Sequence, residues 1–97
     1  MIMALTIVAK ITATDGNAAA VKTALTNLIA PTRAEAGCIQ YDLHQDTTDP
    51  HVFLFFELWE SRALWQDHLA SDHITTHKAA NGHLIAGVIL NEMTHIG

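Results

Sequence analysis

The stretch from about His51 to Trp59 constrains the fold most, because it is apolar on both sides. In an extended chain successive side chains point to opposite faces, so Val52, Leu54, Phe56 and Leu58 share one side. Phe53, Phe55, Glu57 and Trp59 share the other. A strand with one wet face would alternate apolar with polar residues, and this one does not. Both of its faces therefore need cover. Roughly 25 cal/mol is gained per Å² of apolar surface removed from water, so leaving either side bare would be expensive.

The rest of the chain supplies cover for one face only. Residues from about Ala4 to Thr14 alternate as a strand, with Leu5, Ile7, Ala9 and Ile11 on one side. Asp15-Gly16-Asn17 breaks it, and Asp15 or Asn17 is placed to cap the next helix. Val21, Leu25, Leu28, Ile29 and Thr32 then form one helical stripe. Pro31 predicts a kink, or a restart with the proline in a first turn, and Gly37 a C-terminal cap. A second strand, about Cys38 to Gln45, leads through the turn residues Asp46 to Pro50 into the third. Ser61 caps a helix carrying Leu64, Trp65, His68 and Leu69, and Ser71-Asp72 predicts a break and restart before His73. Trp65 is expected on the outer side of its helix or in a subunit contact. Asn81-Gly82 ends the pair, and a last strand runs from about Ile85 to His95. The order βαββαβ predicts an α+β, ferredoxin-like domain over residues 1–97. Its four strands form one antiparallel sheet, the third lying between the first two, with the helices on one face. A second copy is the simplest cover for the other face, which predicts a homodimer or higher oligomer shaped as an α+β barrel.

Ten acidic against five scattered basic residues give a formal charge of −5. A nucleic-acid partner needs clustered Lys and Arg, so that class is excluded. No apolar run approaches the roughly 18 residues of a membrane span. The start, Met1-Ile2-Met3-Ala4-Leu5, lacks the basic residues of a secretory signal, and the expected location is cytoplasmic. Cys38, the single cysteine, has no partner for a disulfide within the chain and reads as an inert buried thiol.

Several segments together resemble the antibiotic biosynthesis monooxygenase family, whose members form dimeric α+β barrels. They are Pro31-Thr32-Arg33-Ala34-Glu35-Ala36-Gly37-Cys38, Tyr41-Asp42-Leu43-His44-Gln45-Asp46, Phe56-Glu57-Leu58-Trp59-Glu60-Ser61 and His68-Leu69-Ala70-Ser71-Asp72-His73. Glu-x-Trp-x-Ser followed by His-x4-His is the most telling part. The resemblance implies a pocket between helices and sheet, lined by Trp59, Glu57, Tyr41, Phe55 and His77, with His68 and His73 as catalytic candidates. Members that oxidise phenols need neither metal nor flavin, because the deprotonated substrate itself reduces O₂. The resemblance thus implies a cofactor-independent monooxygenase of a small aromatic or quinol-like substrate, with Trp59 stacking on the ring and His68 acting as base. Relatives also include haem-degrading enzymes and processors of signalling metabolites. His77 falls where the haem-degrading enzymes place an axial histidine, but Ala9 and His68 replace the Asn and Trp beside it, so haem is weakly supported. A non-catalytic dimeric binding module for a small apolar ligand is the alternative.

Histidine is the one enriched reactive residue, seven in 97. His73 and His77 are four apart on one helical face, but with no evident third ligand no metal is expected. His68 and Trp59 each have a bland reading as core residues. Glu57 sits among apolar neighbours and needs a partner such as His or Arg, or a wet pocket. His44, His51, His83 and His95 read as solvated.

Overall fold

The computed structural model describes residues 4–97, so the reading of the first three residues lies outside it. Strand β1 (Leu5–Ala13) leads into helices α1 (Ala18–Thr26) and α2 (Ile29–Arg33). Strands β2 (Cys38–Gln45) and β3 (Val52–Trp59) form a hairpin, followed by α3 (Arg62–Leu69) and α4 (Asp72–Asn81). A 3₁₀ turn (Gly82–Leu84) then feeds β4 (Ile85–Met93). The sheet order is β2-β3-β1-β4 with antiparallel neighbours, the ferredoxin-like arrangement.

Local chemistry accounts for the boundaries. The φ of Gly16 is 79° and that of Gly37 is 85°, a region that glycine enters without strain. At Gly37 a side chain would also meet Leu64, its Cβ 2.7 Å from the leucine Cβ. Asn17 occupies the N-cap position of α1 but makes no side-chain cap; its amide donates instead to Thr14 Oγ1 at 2.7 Å. Pro31 stands in the first turn of the restarted helix α2, where its missing N–H costs nothing. Asp46 Oδ2 accepts from the backbone N–H of Thr48 and Asp49 at 3.0 and 2.7 Å, which tightens the β2–β3 loop. Ser61 Oγ accepts from Leu64 N–H and starts α3. Ser71 heads α4, yet its hydroxyl donates back to the His68 carbonyl at 2.7 Å rather than capping.

The helices cover one face of β2, β3 and β1. Phe53, Phe55, Glu57 and Trp59 are buried beneath them with Ile7, Ala9 and Ile11, while Val21, Leu25, Leu28 and Thr32 close the layer from above. Trp65 joins this core rather than the outer side of its helix. The opposite face holds Val52, Leu54, Phe56 and Leu58 half-buried in a central stripe. Gln40, Asp42 and His44 pair beside that stripe on β2, so the open face is apolar at its centre and polar along one flank. Strand β4 lies beyond the helices, and past Ile85 it is exposed on both sides, with Val88 at 57% and Ile89 at 60%.

Candidate functional site

A cavity of about 430 Å³ lies between helices and sheet, within the range of small-ligand pockets. Its walls are apolar: Ile11 of β1, Leu25 and Leu28 at α1, Ile74 of α4, and Val88 and Leu90 of the uncovered β4. Tyr41 and Phe55, diagonal to each other on β2 and β3, contribute a stacked aromatic pair with ring centroids 4.4 Å apart. Three polar residues interrupt this lining from the helices, His68, His77 and Lys78, and Glu57 interrupts it from the sheet.

His68 is 3% exposed and held from behind. Its Nδ1 lies 2.6 Å from Glu35 Oε2, in the turn that joins α2 to β2. Its ring tilts over Trp59 at 4.9 Å and meets the edge of Tyr41 at 5.6 Å. Among the described residues Nε2 has no hydrogen-bond partner and is not sealed off; because Nδ1 points back to Glu35, it is the opposite edge of this cavity-lining ring that carries Nε2. Burial holds the imidazole below the usual histidine range against the opposing pull of the Glu35 carboxylate. At neutral pH His68 is therefore neutral, with Nδ1–H directed at Glu35 and an Nε2 lone pair facing the cavity.

Glu57 is 4% exposed, and its bonded partner is Trp59, not a histidine or arginine. The indole Nε1–H donates to Glu57 Oε1 at 3.0 Å. Burial is the main cause that raises the carboxyl pKa from 4.5 to about 7, with the Trp59 hydrogen bond pulling the other way. Burial likewise holds the Tyr41 hydroxyl far above the usual phenol range, so it stays neutral.

Because Glu57 binds its proton more tightly folded than unfolded, it favours folding fully below pH 4.5 and loses that contribution as pH rises through about 7. Glu57→Gln cannot ionise and should be the more stable protein at alkaline pH, by about 3 kcal/mol for a shift from 4.5 to about 7. Urea midpoints of both proteins across this range check it. A parent slope that persists in the variant would refute the assignment.

The site differs from the sequence reading in three ways. Trp59 is fully buried beneath His68 and Glu57 and does not line the cavity, so it offers no face to a ligand. His73 does not line it either; its Nε2 lies 3.2 Å from Thr32 Oγ1 and 3.3 Å from Glu35 Oε2, behind His68. His73 and His77 both border a second groove between α1 and α4, and of the two only His77, which bonds Asn81, also lines the cavity. Tyr41, Phe55, Glu57, His68 and His77 are gathered as expected. Glu35 and Lys78 were not singled out. Glu35 is 33 positions from His68, and no local spacing connects them. His44, His83 and His95 are exposed and His51 is half-buried beside Asp49. Cys38 is half-buried, and burial raises its thiol pKa.

The fold is thus a ferredoxin-like sheet with a helix-covered apolar cavity, one buried histidine and one buried carboxyl. The model of the antibiotic biosynthesis monooxygenase family matches residues 4–80, and the chain belongs to that family. The structure of PA3566 from Pseudomonas aeruginosa superposes with a TM-score of 0.94 at 39% identity, covering 98% of this chain and 96% of that one. Rv0793 of Mycobacterium tuberculosis, whose name marks it as a candidate monooxygenase, is 36% identical over 66 residues, covering 68% of this chain and 64% of its own. Its structure gives a TM-score of 0.88, covering 97% and 96% of the two chains. The Synechocystis protein sll1783 is 42% identical over 45 residues, 46% of this chain. The matches thus span only 31% and 64% of the lengths of these two curated relatives. Among the described residues no helix is long and apolar enough to cross a membrane.

Proposed function

We propose that the protein is a cofactor-independent monooxygenase that oxidises a small phenol or quinol-like ring with O₂. The observation that carries this reading is His68, whose free Nε2 opens on an apolar cavity while Glu35 holds Nδ1 at 2.6 Å. The flat Tyr41–Phe55 pair takes the stacking role foreseen for Trp59. Trp59 instead holds Glu57 in place.

The substrate hydroxyl donates its proton to His68 Nε2, and Glu35 stabilises the imidazolium that forms. The resulting phenolate passes one electron to O₂. The superoxide and the ring radical then join, forming a C–O bond at the ring carbon para to the oxygen. His68 returns its proton to the distal peroxide oxygen and then, again a base, takes the proton from that carbon. The C–H electrons form the new C=O as the O–O bond breaks, and the hydroxide that leaves takes the proton from His68 to become water. Phenol and O₂ thus become para-quinone and one water. Glu57, still protonated below about pH 7, is placed to donate a hydrogen bond to the ring oxygen. Excluding water from the apolar cavity keeps the radical pair together and strengthens these electrostatic contacts.

Oxygen uptake with dihydroxynaphthalenes and para-unsubstituted phenols tests the reading; uptake no faster than in buffer across the panel would remove it. A haem-binding alternative rests on His77 alone and gives no role to the Glu35–His68 pair.

The working unit on this reading is a pair of chains joined through the open sheet face. An apolar centre flanked by polar residues is the anatomy of an interface, and Val52, Leu54, Phe56 and Leu58 form that centre. Light scattering should give twice the 10.6 kDa chain mass, and Phe56→Lys should reduce it to one. A parent of single-chain mass would overturn this assembly.

A further inference from the structure

Behind His68, on the side away from the cavity, lies a second polar cluster that the proposed chemistry uses only in part. Glu35, His68 and His73 each direct one donor atom into it, and these atoms lie within 4.8 Å of one another. His68 Nδ1 and Glu35 Oε2 are 2.6 Å apart, and Glu35 Oε2 and His73 Nε2 are 3.3 Å apart. Thr32 Oγ1 and Ser71 Oγ lie 3.2 and 3.4 Å from the same His73 nitrogen. We propose that Glu35, His68 and His73 form a binding site for a divalent transition-metal ion of the zinc class.

Geometry and donor chemistry carry this assignment. Two imidazoles and one carboxylate are a donor set that zinc accepts, leaving a fourth position for water. Ligand bonds of roughly 2.0–2.2 Å place tetrahedral donors about 3.4 Å apart. The Glu35–His73 spacing of 3.3 Å already fits, the Glu35–His68 contact of 2.6 Å must widen, and the two histidine nitrogens, within 4.8 Å, must settle near the same spacing. The helix break makes the cluster possible. In one unbroken helix, residues five apart point about 140° away from each other. The break at Ala70 and Ser71 instead brings the His68 and His73 rings to 6.0 Å. The side chains of Glu35 and His73 are 19% and 23% exposed, so an ion reaches the site from solvent without passing through the cavity.

Metal and proton compete for one atom. In the metal-free state Nδ1 of His68 carries the hydrogen directed at Glu35. With Nδ1 bound to metal the hydrogen moves to Nε2, and the lone pair facing the cavity is lost. Occupancy would therefore silence His68 as a base, a consequence that rests on the function proposed above. The binding itself does not.

The test is made without substrate or oxygen, so its outcome is separate from that of the catalytic reading. Calorimetric titration of the apo-protein with Zn²⁺ should show one equivalent per chain. His73→Ala and Glu35→Gln should each weaken it roughly tenfold or more, the scale on which metal sites respond to loss of support. Nitrogen-detected imidazole spectra should show His68 changing from the Nδ1–H to the Nε2–H tautomer as Zn²⁺ is added. Binding that leaves the His68 tautomer unchanged, binding of undiminished strength in both variants, or the absence of saturable binding would each overturn the assignment. Circular dichroism of the two variants separates lost binding from lost fold.

Discussion

His68→Ala should lower kcat for oxygen-dependent phenol oxidation by about 10²–10⁴, the usual contribution of a positioned acid–base group. KM should change far less, because the cavity's apolar walls and the Tyr41–Phe55 pair, which hold the ring, remain in place. The substitution leaves an imidazole-sized space beside Glu35, so added imidazole should restore part of the rate. Such rescue would not follow if His68 only packed against the sheet. Glu35→Gln should give a smaller loss, again in kcat, since it removes the charge that stabilises imidazolium but leaves Nε2 facing the cavity. If His68→Ala kept the parent rate, the base assignment would be wrong even though the family and fold would stand.

The second large effect is on stability. Trp59→Ala should cost about 3–5 kcal/mol for the cavity it leaves in the core. It also removes the indole N–H from Glu57, and an orphaned buried acceptor costs about 1–3 kcal/mol more. A domain of this size has roughly 5–15 kcal/mol of stability in total, so most of it is at stake. Trp59→Phe separates the two contributions. It keeps most of the aromatic volume but removes the hydrogen bond that lowers the Glu57 pKa, so that pKa should rise beyond about 7. Urea unfolding of the three proteins reads the ranking, and a Trp59→Ala midpoint close to that of the parent would show that the indole is not a core element.

Much of the fold was legible because its determinants are local. The two-residue period of an extended chain from Val52 to Trp59 assigned each side chain of β3 to a face. Ser61, Ser71-Asp72 and Asn81-Gly82 marked where elements end, whereas Gly37 does not cap α2, which closes at Ala34, but makes the turn into β2. The cavity members Tyr41, Phe55, Glu57, His68 and His77 were legible through the resemblance and through strand parity.

Depth and partnership were not legible. Periodicity places Trp59 and Glu57 on the same side of β3, but not which of them a ligand can reach. In the packed layers Glu57 lines the cavity while Trp59, hydrogen-bonded to it, does not. Glu35 meets His68 only because α2 returns the chain to β2 beneath the α3–α4 break. The sequence by itself therefore determined the order, type and faces of the elements, because those follow from short-range backbone and solvent preferences. Only the tertiary structure decided which acid backs which histidine and how deep each lies. Contacts across 33 residues depend on how whole layers pack, and no local pattern encodes that.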